Sequence, residues 1–170
     1  MIHLVGSTAL VGRFLKEELS KDFLTIEYSR DLGNLELSSG FIEINDYESG
    51  DYWLFLASIA HPMLCEEKPD FAYKCNVQGT TKIIQEILNR SGKVLFFSTD
   101  MVYGEGGPFN ENSITNPVGV YADSKLRLEK KFEDDPNFFS LRMSYFLGGD
   151  IFSNYVIGAA ESNQIIEVYK

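Results

Sequence analysis

The chain has 170 residues, with 15 Lys+Arg against 25 Asp+Glu and 44% hydrophobic residues, enough apolar mass for one globular domain and not the composition of a disordered chain. Its net charge of −10 excludes a general nucleic-acid or anionic-membrane binder, because the field of the chain repels phosphate; a local phosphate site stays open. Two cysteines, Cys65 and Cys75, allow neither a disulfide framework nor a zinc cluster and read as reduced thiols, and no metal site is expected.

The opening MIHLVGSTALVG has no basic leader and no small-residue cleavage site, and the longest apolar stretch, 52–64, is too short to span a bilayer. The expected compartment is the cytoplasm. Residues 2–5 form a short apolar run ending in Gly6, and Leu10, Val11, Phe14, Leu15 and Leu19 then recur at helical spacing, so the chain opens as strand, glycine loop and helix. In 23–28, Leu24, Ile26 and Tyr28 alternate with polar or weakly polar neighbours, which predicts a second strand, and 41–44 is a short third one. YWLFLA, 52–57, is a continuous apolar run of the kind buried on both faces of a parallel sheet. A long helix is expected over about 70–89 with Val77, Ile83, Ile84 and Ile87 as its buried stripe. KVLFFS, 93–98, is a further strand, 104–119 a loop rich in Gly, Pro, Asn and Glu, 121–132 a helix and 138–143 a last strand. This alternation predicts an α/β domain with a doubly wound, mostly parallel sheet of the Rossmann kind. In such sheets the loops at the carboxyl ends of the strands hold the ligand.

Three features sit at those ends. Gly6-Ser-Thr-Ala9-Leu10-Val11-Gly12 joins the first strand to the first helix. Its outer glycines suit a tight turn and close helix packing, and the helix N-terminus offers free N–H groups to a pyrophosphate. Ala9 adds a methyl where backbone and phosphate approach, and an ordinary strand-to-helix turn would look much the same. Thr99, in Ser98-Thr99-Asp100, ends the KVLFF strand with a hydroxyl toward the ligand edge, although these residue types also cap turns. Tyr121 and Lys125 stand at i, i+4 and so share a helix face, where an ammonium near the phenol would lower the tyrosine pKa toward working pH; the same spacing also suits a solvated surface pair. About 20 residues beyond the glycine loop comes Ser29-Arg30-Asp31. There a hydroxyl and an arginine would take the 2′-phosphate of NADP, and an acid would take the ribose of NAD. Ser29 and Arg30 fall at the very end of the predicted strand and Asp31 one step into the loop, which favours NADP.

Taken in order, LVGSTALVG, LFLASIAHP, NVQGTTKIIQ, VLFFSTDMVYGEGGPFNE, NPVGVYADSKLRLE and LRMSYFLGG resemble the extended short-chain dehydrogenase/reductases, the NAD-dependent epimerase/dehydratase group that acts on nucleotide sugars. The stretch 98–129 is the most specific and is similar to dTDP-4-dehydrorhamnose reductases and sugar-nucleotide epimerases. The resemblance implies NAD(P)-dependent reduction or epimerisation of a nucleotide sugar. Thr99 would hold the sugar oxygen, Tyr121 would exchange its proton, and Lys125 would hold the nicotinamide ribose and tune Tyr121. Gly6, Ala9, Leu10, Val11 and Gly12 would lie against the pyrophosphate, Asp46 would contact adenine, Ala57 and Ser58 would line the cofactor, and Asn76 would be the asparagine of the NVxGT motif. It also implies a possible homodimer through the two long helices, for which apolar Ile83 and Leu128 would be available. Two departures stand out. Met101 occupies the place of the acid that serves family dehydratases as base, which disfavours dehydration. The family also continues for well over a hundred further residues, so the expectation is one NAD(P)-binding domain over 1–170, with the substrate domain largely missing and only its start present from about residue 144. The alternative reading is a cofactor-binding module without turnover, a redox sensor or a partner subunit.

Overall fold

The computed structural model describes residues 1–144; the region expected to begin the substrate domain lies outside the described residues. In chain order the elements are β1 (Ile2–Val5), α1 (Leu10–Leu19), β2 (Thr25–Tyr28), β3 (Leu35–Glu36), β4 (Phe41–Ile42), β5 (Tyr52–Phe55), α2 (Pro62–Glu67), α3 (Pro69–Tyr73), α4 (Thr80–Asn89), β6 (Lys93–Thr99), α5 (Val120–Phe132) and β7 (Phe138–Met143). A π-helical turn, Lys74–Gly79, joins α3 to α4, and a 3₁₀ turn, Asp100–Tyr103, follows β6.

Five strands form a wholly parallel sheet in the order β2-β1-β5-β6-β7. From β1 the chain goes to β2 on one side and returns to β5 on the other, so a crevice opens at the carboxyl ends of β1 and β5, where strand order reverses. In register, Val5 pairs with Phe55 and Phe55 with Phe96. Trp53, Phe55, Val94 and Phe96 form one core with Ile83, Ile84, Ile87 and Leu88 of α4 and Leu128 and Phe132 of α5. Each fully buried side chain of this size contributes about 1.5–3 kcal/mol of transfer free energy.

The buried face is narrower than the apolar runs suggest. Tyr52 is exposed and Leu54 half-buried, so YWLFLA is covered fully on one face only. Val77 is also only half-buried, and the stripe of the long helix runs instead through Cys75, Asn76, Gly79 and Thr80 before reaching Ile83. Ile83 and Leu128 are both in the core of the chain itself, which removes them as dimer-contact residues. The expected strand 41–44 shortens to two residues and pairs antiparallel with β3, outside the main sheet. A helix the sequence reading lacked, α2, begins at Pro62, with the His61 ring accepting from the Leu64 N–H at 3.3 Å.

A second buried cluster holds the amino-terminal side of the sheet. The His3 ring stacks on Trp53, with centroids 3.8 Å apart, and hydrogen-bonds Tyr28 and Asp51, each at 3.1 Å. Burial lowers the His3 pKa, against the pull of Asp51. For Asp51 burial acts upward, but hydrogen bonds from the terminal amine, the Glu48 N–H and His3 prevail and hold it at about 2. Among the described residues no helix is long and apolar enough to cross a membrane, and no group of three or more His, Cys, Asp or Glu is placed to hold a metal ion.

Candidate active site

The crevice at the end of β1 is a cleft of about 290 Å³. Its floor is the glycine loop, represented by Gly6, Thr8 and Ala9. Gly6 has φ +97° and donates its N–H to the Tyr28 carbonyl at 2.8 Å; a Cβ there would stand 2.6 Å from the Ala57 nitrogen, so only glycine lets the loop lie against the end of β5. Gly12 does a different job. It is buried on α1 and a Cβ would strike the carbonyl oxygen of Gly6, so it sets how closely the helix sits on the loop. No side chain caps α1 at Ala9, which leaves first-turn N–H groups free for an anion.

One wall of the cleft carries Ser29, Arg30 and Asp31 after β2, and the opposite wall carries Ala57, Ser58 and Ile59 after β5. The Ser29 hydroxyl accepts the Leu32 N–H at 3.2 Å, and Asn34 ties the turn back to β2 by accepting the Ser29 N–H and donating to the Glu27 carbonyl. Arg30 is exposed at the rim. Asp46 is exposed and is not among the residues lining the cleft; Glu36 and Leu37 from the β3–β4 ribbon are. The Glu36 carboxylate accepts from the Ser38 N–H and hydroxyl at 2.8 and 2.7 Å, which lowers its pKa. The signal for these two residues was the brief Leu35-Glu36-Leu37 alternation after Gly33-Asn34, too short to be read as a strand.

A second cavity, about 460 Å³, lies beside the first. Leu10 and Val11 of the glycine loop's helix line it together with Thr99, Met101 and Tyr121. The Thr99 hydroxyl accepts the Met101 N–H at 3.2 Å and donates to Asp100 at 3.3 Å, so it caps the 3₁₀ turn and faces the cavity at once. Lys125 is almost fully buried. Its Nζ donates to the Phe97 carbonyl at 2.8 Å and stands 4.6 Å from the Phe96 ring centroid and 5.8 Å from that of Tyr121. Burial brings its pKa down to about 7, with Glu129 acting in the other direction.

Tyr121 corrects an expectation. The ammonium was expected to lower the phenol's pKa, but burial raises it, helped by Cys65 and Asp100 and opposed by a hydrogen bond with Ser58. Desolvation of the ring dominates, and the Lys125 amine, itself desolvated and engaged by a carbonyl, is not among the groups that shift it.

Asn76 acts as a tether. Its side chain accepts the Ile59 N–H at 2.7 Å and donates to the Ile59 carbonyl at 3.0 Å and to the Ser124 hydroxyl at 3.4 Å, joining the cleft wall to α5. The N-terminus of α5, where Gly119 has no side chain to cap it, is held by Glu66 of α2, whose carboxylate accepts the Val120 N–H at 2.6 Å. Tyr121 therefore stands on a helix fixed at its first turn from two directions.

A parallel sheet with an uncapped glycine loop at its switch point, beside a Thr, a Tyr and a buried Lys, is an architecture of the short-chain dehydrogenase/reductase type. The family described as RmlD substrate binding domain matches residues 1–170, and the chain belongs to that family. Among curated relatives, methionine adenosyltransferase 2 subunit beta of Xenopus tropicalis is 26% identical over 137 residues, covering 75% of this chain and 41% of its own length. The dTDP-4-dehydrorhamnose reductase of Salmonella typhimurium is 28% identical over 108 residues, covering 61% and 36%. The crystal structure of dTDP-4-dehydrorhamnose reductase from Bacillus anthracis in complex with NADP superposes with a TM-score of 0.76 at 18% identity, over 95% of this chain and 60% of that one. The chain thus spans about two fifths of these curated relatives.

Proposed function

We propose that the chain carries the cofactor site and the reacting residues of an NAD(P)H-dependent oxidoreductase acting on a carbonyl or carbinol carbon of a nucleotide sugar. The observation that carries this reading is the shared cavity: Leu10 and Val11, from the first turn of the helix that would hold the pyrophosphate, line the same space as Thr99 and Tyr121. The residues fit a dinucleotide. The first-turn N–H groups of α1 would take the pyrophosphate, Ala57 and Ser58 the wall of the cofactor, Glu36 and Leu37 the adenosine side, and Ser29 with Arg30 a 2′-phosphate. A bound reduced nicotinamide supplies the hydride.

The residues of the chain supply the rest. Thr99 offers a hydroxyl to the sugar oxygen. Tyr121, its pKa raised by burial, is a protonated phenol at neutral pH and gives its proton to that oxygen as the carbonyl becomes an alcohol, which favours the reductive direction. Lys125 keeps two N–H groups beyond its bond to Phe97 for a ribose hydroxyl. Met101 holds no proton-abstracting group, so dehydration stays outside the proposal. NADP is the preferred cofactor because Arg30 stands at the cleft rim. A cytoplasmic setting goes with it. A homodimer through α4 and α5 would have to use exposed residues such as Lys82, Gln85 and Arg127, since the apolar ones are buried in the core.

A second reading is favoured by the similarity to methionine adenosyltransferase 2 subunit beta: a cofactor-binding module that serves a partner and turns nothing over. A panel of nucleotide sugars with NADPH or NADH separates the two. The enzyme oxidises cofactor with one of the sugars, whereas the module binds cofactor and consumes none.

A further inference from the structure

Glu129 has no part in the proposed chemistry, yet it is almost fully buried on α5, one helical turn from Lys125. Its carboxylate accepts the Ser98 hydroxyl, one residue from Thr99, and takes Nε and Nη2 of Arg142 on β7 at 2.9 and 2.6 Å. Arg142 in turn donates to the Tyr103 hydroxyl at 2.8 Å, which brings in the turn after Thr99. One carboxylate therefore joins β6, β7, the 3₁₀ turn and α5. A buried ion pair of this kind contributes little net stability compared with apolar packing. Its position suggests another purpose: Glu129 lies one helical turn beyond Lys125 on the same face of α5, and among the described residues no carboxylate makes an ion pair with Lys125.

We propose that Glu129 is a positioning residue of the Thr99–Tyr121–Lys125 site, fixing the end of β6 against α5 and placing a negative charge one helical turn from the buried Lys125 amine. The chemical part rests on the oxidoreductase reading; the charge coupling does not. The groups facing Lys125 are few. Tyr121 faces it from α5, with Glu129 one turn further along the same helix, and the Phe96 ring and Phe97 carbonyl face it from β6. Arg142 approaches from β7 only through Glu129, and Asp100 acts on Tyr121 at the edge of the same cavity. Glu129 acts to raise the proton affinity of Lys125.

The test is the titration of Lys125 followed by NMR in lysine-labelled full chain, assigned with Lys125→Met, a readout that needs no turnover. Glu129→Gln, which keeps an acceptor for Ser98 and loses the charge, should weaken proton binding by Lys125 about tenfold or more. Glu129→Asp should restore most of it. If Glu129→Gln does not fold, Arg142→Gln decides, because removing the charge on the far side of the carboxylate must also move the midpoint. In protein that turns over, Glu129→Gln should shift the basic limb of the kcat profile to lower pH. A Lys125 midpoint unmoved in a folded Glu129→Gln or Arg142→Gln protein overturns the proposal. A midpoint that moves in a protein without turnover refutes the oxidoreductase reading and leaves the coupling standing.

Discussion

Lys125→Met should make the protein more stable while disabling the site. An ordinary lysine titrates near 10.5, and burial brings Lys125 to about 7, which corresponds to about 5 kcal/mol of cost on the charged form in the folded chain. Against this stands the Phe97 carbonyl that methionine leaves without its donor, a loss of up to about 3 kcal/mol. Methionine fills nearly the same space without a charge. The net gain at pH 7 is therefore about 2 kcal/mol, a rise of roughly 4–8 °C in Tm for a chain of this size. The pH dependence has a definite sign. Because the folded-state pKa lies below the unfolded one, the unfolded chain binds more protons between about pH 7 and 10.5, so the native protein gains stability as pH rises through that window. The advantage of Lys125→Met should be greatest at and below pH 7, fall as pH rises and reverse before about pH 10.5. Urea unfolding of both proteins across that range measures it. A variant less stable at pH 7, or a difference independent of pH, would refute the reasoning.

Gly79→Ala should cost about 3 kcal/mol in the same unfolding assay, because a Cβ there overlaps the Leu37 carbonyl oxygen and stands 2.7 Å from its carbon; it should also weaken NADPH binding in calorimetry, since Leu37 lines the cleft. Acid should unfold the chain in two stages. Stability contributed by neutral His3 is lost as pH falls below the ordinary histidine value of 6.5. That contributed by Asp51 is lost as pH falls from the ordinary value of 3.8 through about 2. Asp51→Asn should lower stability at pH 7 and flatten the second stage in an acid titration followed by circular dichroism. The dissociation constants of NADPH and NADH should differ several-fold, and Arg30→Ala should remove most of that difference in a fluorescence titration.

The main-sheet strands were legible because each presents an apolar run bounded by turn residues, and β1, β6 and β7 match the sequence reading to within a residue. What failed was local and short. Two-residue strands leave no period, so Phe41–Ile42 was merged with 43–44 and its partner Leu35–Glu36 was missed, and with them Glu36 and Leu37 at the cleft. The helix at Pro62 was hidden inside an apolar stretch, although a histidine followed by proline is a readable helix start. In the site, order and spacing singled out Thr99, Tyr121, Lys125 and the glycine loop; Gly6 and Ala9 line the cleft, Leu10, Val11, Thr99 and Tyr121 line the second cavity, and Lys125 lines neither, lying buried beside the Phe97 carbonyl. The direction of the Tyr121 shift was not legible, because it depends on how deeply α5 buries the ring and where the Lys125 ammonium is spent. The close helix packing expected of Gly12 is what the structure has, its tight contact being with the loop backbone.

The central claim, that Tyr121 serves as proton donor beside a bound nicotinamide, is tested most directly by isotope transfer. The full chain is incubated with NADPH deuterated at C4 and a panel of nucleotide sugars, and products are weighed by mass spectrometry. The account predicts one deuterium on the carbon of a reduced sugar, formed roughly a hundredfold or more slowly by Tyr121→Phe at unchanged NADPH affinity. Equal deuterium transfer by Tyr121→Phe would contradict it.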